Sequence, residues 1–226
     1  MMHLMRMELK KIHFKKYIFF SALAIVLSMY FVFVSLYDTS EHVRTFENTF
    51  QTVELIFAFI FVIFFSVLNA AIVISEYNNK TILLMFTYPI DKKKMVTAKL
   101  LLITIFMAVS MLIGYAACSL FIIGIDKRFD LLDGEFSFTV LENLIYGTLA
   151  TTIVFCCLGL WTFAVGMIKK SVSMTIVSSM IFIFLRQIVI TAGEGHQESS
   201  SLVLITVIVT AAALWYIFRK KITELD

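Results

Sequence analysis

The chain has 226 residues, of which 60% are hydrophobic and 15% are charged. Soluble domains are typically about 25% charged, so the composition excludes an ordinary soluble enzyme. The formal net charge of +3 does not point to nucleic acid, and we predict no nucleic-acid partner.

Six apolar runs are long enough, or nearly so, to cross a bilayer as helices, which takes about 20 residues each. They cover 17–37, 53–75, 99–125, 142–168, 172–192 and 202–218. A membrane β-barrel is not indicated, because its strands would alternate polar and apolar residues over about ten positions. We therefore predict an all-α integral membrane protein with six transmembrane helices in a single transmembrane domain over 1–226.

The basic residues predict the orientation of these spans. Six spans put both termini on one side, which then holds fifteen Lys and Arg residues, against four on the other side. Because basic loops are retained in the cytoplasm, we predict that both termini are cytoplasmic.

The first sixteen residues predict a helix lying at the inner membrane surface. Met2, Met5, Leu9 and Ile12 recur at helical spacing. The cations Arg6, Lys10 and Lys11 lie elsewhere around the same helix. A basic amphipathic helix suits the membrane interface, and its cations are predicted to contact inner-leaflet lipid or a partner.

The second and fifth spans each carry a stripe of polar and aromatic residues on one helical face. The stripe of the second span consists of Glu54, Phe61, Phe65, Asn69, Ile72 and Glu76. The stripe of the fifth span consists of Ser171, Thr175, Ser178, Phe182 and Arg186. Polar side chains in a bilayer face protein or water rather than lipid. The stripes therefore either line a cavity or pack closely against neighbours through small residues such as Gly147, Gly159 and Gly166 in the fourth span.

The segment 76–98 interrupts the apolar sequence on the predicted cytoplasmic side. It predicts a short helix over 80–88 that ends at Pro89, since proline clashes with the preceding helical turn. Asp91 is then expected to cap the next helix. The first turn of that helix contains three cations, Lys92, Lys93 and Lys94. The macrodipole disfavours cations there, so they are predicted to contact lipid phosphates or an acidic partner, or to be a simple positive-inside anchor.

Several catalytic signatures are absent from the sequence. It has no G-x-x-x-x-G-K-[ST] phosphate-binding loop, no H-E-x-x-H and no G-x-S-x-G. The four histidines, His3, His13, His42 and His196, lie outside the spans on opposite predicted sides. We therefore predict no catalytic residue, no metal site and no cofactor in this chain.

Glu76, followed by "NNKTILLMFTYPIDKKKMVTAKLL", resembles the membrane subunits of type-2 ATP-binding-cassette (ABC) exporters. In that family this cytoplasmic loop contains a coupling helix that docks on the ATPase. The resemblance implies that the docking residues here are Glu76, Thr81, Leu83, Leu84, Phe86 and Pro89. It also implies that the spans with the two stripes border a central transport path, and that the N-terminal helix is the family's connecting helix.

The resemblance implies export across the bacterial plasma membrane of a hydrophobic or amphipathic, antimicrobial-type peptide. ATP and Mg would be bound by a separate ABC ATPase, present in two copies, beside a second permease that is identical or homologous. Two alternatives stay open: an ATPase-independent secondary transporter or channel, and a membrane immunity or scaffold protein that binds a peptide without moving it.

Overall fold

The computed structural model describes residues 14–38, 46–75, 92–129, 138–169, 171–192 and 200–220. These residues form helices, and no strand occurs among them. We number the helices α1 to α6 in chain order. They are Phe14–Asp38, Phe46–Asn69, Lys92–Phe129, Phe138–Lys169, Val172–Ala192 and Ser200–Lys220. α2 continues without a break into a π-helical turn, Ala70–Ile74. Helices are the expected form for such apolar runs, because lipid offers no partner to backbone N–H and C=O groups.

Five of the helices contain segments long and apolar enough to cross a membrane. They are Lys15–Leu36, Asn48–Ile74, Met95–Arg128, Leu141–Lys169 and Val172–Ile190. The apolar segment of α6, Val203–Trp215, is shorter. The prediction of an all-helical membrane protein is thus confirmed across the described residues, five of whose helices qualify as spans by length and composition. The count of six spans stays a prediction.

α3 is longer than the predicted third span. It begins at Lys92, where the sequence predicts a helix start after Asp91, and runs for 38 residues. At 1.5 Å per residue this is about 57 Å, so the helix extends well beyond a hydrocarbon core of about 30 Å. The N-terminal helix predicted over 1–16 lies almost entirely outside the described residues, as does the docking segment before Asp91.

α2 lies at the centre of the bundle and packs against α1, α3, α4 and α5. Its residues Phe57, Phe61 and Phe65 recur at four-residue spacing and are fully buried. The rings of Phe57 and Phe61 stack with centroids 4.9 Å apart, and Tyr115 of α3 stacks on Phe57 at 4.4 Å. One continuous ridge of large aromatic side chains therefore fills the space between α2 and its neighbours.

Glycines allow the neighbours to approach this ridge. A Cβ built on Gly159 of α4 would lie 2.2 Å from the Phe65 ring, and one on Gly166 would lie 2.2 Å from the Cδ1 of Ile74. On α3, Gly114 faces Phe57 in the same way, at 2.8 Å. In a membrane, where lipid competes for apolar contacts, such close backbone approach is a main source of helix association. The prediction of close packing through small residues is confirmed at Gly159 and Gly166.

We expect Gly159→Ala to destabilise the bundle, because the added methyl group would push the Phe65 ring out of its packed position. Overpacking of this kind typically costs about 1–3 kcal/mol. The measurement is the thermal unfolding midpoint of the purified protein in detergent. Gly124→Ala is the matched control, since a Cβ there meets nothing within 4 Å. Equal midpoints for the two variants would contradict this account of α2–α4 packing.

Candidate functional site

The two stripes meet within one chain, because α2 and α5 pack against each other. Arg186 of α5 forms an ion pair with Glu54 of α2 through its Nη2 and the carboxylate Oε1. The side chain of Arg186 is 9% exposed and that of Glu54 is 20% exposed. The tertiary structure thus brings together two opposite charges that lie 132 positions apart in the sequence.

An aromatic ring supports the cation of this pair. The guanidinium carbon of Arg186 lies 4.8 Å from the centroid of the Phe155 ring of α4. A guanidinium over an aromatic face is attracted by the ring quadrupole, more strongly when water is excluded. Helices α2, α4 and α5 are therefore joined at one point, and the two charges neutralise each other where an isolated charge would be costly.

A second polar contact joins α2 and α5 deeper in the bundle. Ser66 Oγ lies 3.3 Å from Ser179 Oγ, and both side chains are fully buried. The Ser179 hydroxyl donates to the Ile176 carbonyl one turn earlier in α5, so its oxygen accepts from Ser66. The single hydroxyl proton of Ser66 is shared between Ser179 Oγ and the Ile63 carbonyl. Sequence reasoning missed this pair. The available signal was Ser66 in the middle of the apolar run 53–75, together with the adjacent Ser178 and Ser179 in the run 172–192.

Asn69 joins α2 to α4 one turn beyond Ser66. Its Nδ2 donates to the carbonyl oxygen of Gly159 at 3.2 Å, and its Oδ1 finds no hydrogen-bond partner among the described residues. The π-helical turn begins at the next residue, Ala70. π-helical turns are rare and occur frequently at functional sites. Asn69 is therefore the last residue of the α-helical part of α2, directly before the wider turn, and its amide is bonded to α4.

The other stripe residues contact neighbours within the chain, Phe182 from a half-buried position. Phe61 and Phe65 belong to the aromatic ridge, whereas Phe182 packs edge-on against Trp161 of α4 with ring centroids 5.6 Å apart. Thr175 is buried and donates its hydroxyl to the Ser171 carbonyl at 3.0 Å. Ser178 is also buried and donates to the Thr175 carbonyl at 2.8 Å. That these residues line a transport path stays a prediction.

The remaining candidate residues are placed as follows. Lys92, Lys93 and Lys94 form the first turn of α3. The docking residues Glu76, Thr81, Leu83, Leu84, Phe86 and Pro89, and the N-terminal cations Arg6, Lys10 and Lys11, lie outside the described residues. In the sequence the docking segment follows the π-helical turn of α2 and leads to α3, which begins at Lys92.

A bundle with five apolar helices able to span a bilayer, joined by buried polar contacts, is a multi-pass membrane protein. Residues 4–186 match the family described as ABC-2 family transporter protein, and the chain belongs to this family. It is similar to a Bacillus subtilis (strain 168) protein described as "Uncharacterized protein YcbO". The two are 29% identical over 226 residues, covering 95% of this chain and 94% of the relative.

Family membership confirms the resemblance indicated by 78–101 and has direct consequences. The chain is a membrane transporter subunit of the bacterial plasma membrane. ABC-2 membrane subunits lack an ATP-binding site, and the family in general works with an ABC ATPase. The absence of a phosphate-binding loop from the sequence agrees with this division of labour.

We expect Glu54→Leu alone to destabilise the bundle strongly, because it leaves the Arg186 cation buried without its carboxylate. Removing one partner of a buried pair typically costs about 3–5 kcal/mol, whereas replacing both by apolar residues is often close to neutral. The double variant Glu54→Leu with Arg186→Met should therefore recover most of the loss. Thermal unfolding in detergent measures this coupling.

Glu142→Leu is the matched control for this cycle, since Glu142 is an exposed carboxylate near the start of α4. It should leave the unfolding midpoint nearly unchanged. Additive effects of Glu54→Leu and Arg186→Met would mean that the ion pair does not couple α2 to α5.

Proposed function

We propose that this chain is the permease subunit of an ABC exporter that moves a hydrophobic or amphipathic, antimicrobial-type peptide out of the cell. ATP, with Mg, is hydrolysed on a separate ABC ATPase. The observation that carries the proposal is the placement of α2. This helix lies at the centre of the bundle and makes the Glu54–Arg186 and Ser66–Ser179 contacts with α5. Its π-helical turn directly precedes the docking segment in the sequence.

The proposed topology has six spans and two cytoplasmic termini. The excess of Lys and Arg on one side supports it, fifteen against four. α6 contributes the sixth span, since its 21 helical residues are about 31 Å long, close to the thickness of the hydrocarbon core. In this orientation Glu54 and Arg186 lie in the outer half, and the π-helical turn lies at the cytoplasmic end of α2.

The proposed coupling runs from the ATPase through 76–98 into the bundle. The two ends of this segment are attached to α2 and α3, which pack against each other through Phe57, Gly114 and Tyr115. A push on the segment therefore acts on two packed helices rather than on a loose loop. Two ATPases and a second permease, identical or homologous, complete the complex.

The contacts between the two stripes support an apolar substrate. Within one chain the charges of α2 and α5 pair with each other. The face of α5 that stays exposed is almost wholly apolar. It includes Val177, Ile181, Phe184 and Ile188. A path bounded by this face in a pair of permeases would favour hydrophobic segments of a peptide over charged ones.

Co-purification in mild detergent with a co-expressed ABC ATPase tests the proposal. We expect a stable complex whose ATP hydrolysis in liposomes is stimulated by amphipathic peptides. Leu84→Asp and Phe86→Asp should abolish ATPase association while membrane insertion stays normal, because a carboxylate cannot be buried in an apolar dock.

Phe136→Asp is the matched control, since Phe136 lies in the predicted outer loop between the third and fourth spans. It should leave the complex intact. Failure of any ATPase to associate would favour a secondary transporter or channel. Association without peptide-stimulated hydrolysis would contradict the peptide substrate and favour an immunity or scaffold role.

A further inference from the structure

A groove of about 300 Å³ lies between α5 and α6, with α4 as its floor. α5 and α6 each pack on α4 and make little direct contact with each other. The floor includes Leu158 and Trp161, and the walls include Phe182 and Val189 on one side and Ile205 and Val209 on the other. This volume falls at the lower end of the range for ligand pockets in proteins.

The groove occupies one half of the membrane-spanning region. On α5 it runs from Phe182 to Ile190, which is about 12 Å of helix. This is the half of α5 that ends at Ala192. On α6 it lies near the start of the helix, at Ile205 and Val209. The groove therefore lies within a single leaflet, the outer one in the proposed orientation.

The polar groups that border the groove are already bonded inside the chain. The indole Nε1 of Trp161 donates to Thr210 Oγ1 at 3.2 Å, and the Thr210 hydroxyl donates to the carbonyl of Thr206. The Thr206 hydroxyl donates to the Val203 carbonyl at 2.8 Å. Arg186, whose side chain lines the outer part of the groove, is paired with Glu54. The indole and hydroxyl donors at the groove are thus used within the chain, and the charge of Arg186 is compensated by Glu54.

The groove is also continuous with apolar surface on both sides. Leu185 and Val189 of α5 are more than half exposed, as is Ile205 of α6. Surface of this kind on membrane-spanning helices faces lipid hydrocarbon. A neutral apolar groove that opens onto lipid matches a hydrocarbon chain and disfavours a charged peptide segment, whose burial there would leave its charge uncompensated.

We propose that this groove binds one acyl chain of a membrane lipid, between α5 and α6 and against Trp161. An acyl chain at this site would fill the space between α5 and α6, which make little direct contact with each other. The inference goes beyond the proposed function and depends neither on the transported substrate nor on the ATPase. It depends only on the placement of α4, α5 and α6 in the membrane.

Quenching of Trp161 by lipids brominated along their acyl chains tests the site, because bromine quenches only an indole that it touches. The chain has two tryptophans, so Trp215→Phe leaves Trp161 as the only one. This variant is reconstituted in phosphatidylcholine vesicles with brominated or unmodified chains. We expect strong quenching of Trp161 by the brominated lipid.

Filling the groove should remove that quenching. Val209→Phe and, independently, Ile205→Phe place an added ring in the groove, whereas Ile208→Phe is the matched control on the exposed, non-lining face of α6. In the Trp215→Phe background we expect loss of quenching in both filling variants and full quenching in the control. Retained circular dichroism shows that each variant is folded.

Two results would overturn the proposal. Quenching that survives both filling variants would mean that bulk lipid reaches Trp161 by another route. No quenching in the unfilled protein would mean that another occupant, such as a second copy of this chain or a peptide, excludes lipid. The Trp161→Phe protein, with Trp215 63% exposed, provides the positive control for lipid contact.

Discussion

The structure depends on the burial of α2 among four other helices. Lipid supplies neither hydrogen bonds nor a hydrophobic force that favours helix contact over lipid contact. α2 can occupy the centre only if its partners approach closely and the polar side chains it carries are bonded to other helices. Gly114, Gly159 and Gly166 provide the approach. Glu54, Ser66 and Asn69 find their partners on α4 and α5.

This constraint links stability to the proposed mechanism. The Glu54–Arg186 pair contributes little net energy compared with apolar packing, since desolvation offsets most of the attraction. Its effect is to fix the register of α5 against α2, because any slip would separate buried charges. At the other end of α2, the π-helical turn follows Asn69, whose amide is held by Gly159. α2 is therefore held firmly along its length up to the turn that joins it to the docking segment.

The helices at the periphery of the bundle are much more exposed than α2. α1 is mostly exposed along its membrane segment, and α5 and α6 are separated by the groove on α4. These apolar surfaces suit contact with lipid or with another apolar partner rather than burial inside one chain. A lipid chain in the groove would let α6 stay attached through α4 alone. Lipid would then contact one face of α4, whereas α2 contacts another face.

Much of the fold could be predicted from the sequence, because it depends on local quantities. Run length and the absence of polar alternation determined helices rather than strands, and Asp91 as an expected N-cap predicted the start of α3 at Lys92. The missing phosphate-binding loop and the segment 78–101 indicated a transporter subunit that relies on an outside ATPase, and the family match agrees. The two polar stripes were also visible, since 100° per residue defines a helical face.

The sequence alone did not determine what those faces touch. That Glu54 meets Arg186, that Ser66 meets Ser179 and that Phe65 rests on Gly159 was decided by the tertiary structure. The physical reason is that helical periodicity gives the direction of a side chain around its own axis only. The identity of its partner depends on which helix lies there and at what height, and that is set by packing between residues about 90 to 130 positions apart.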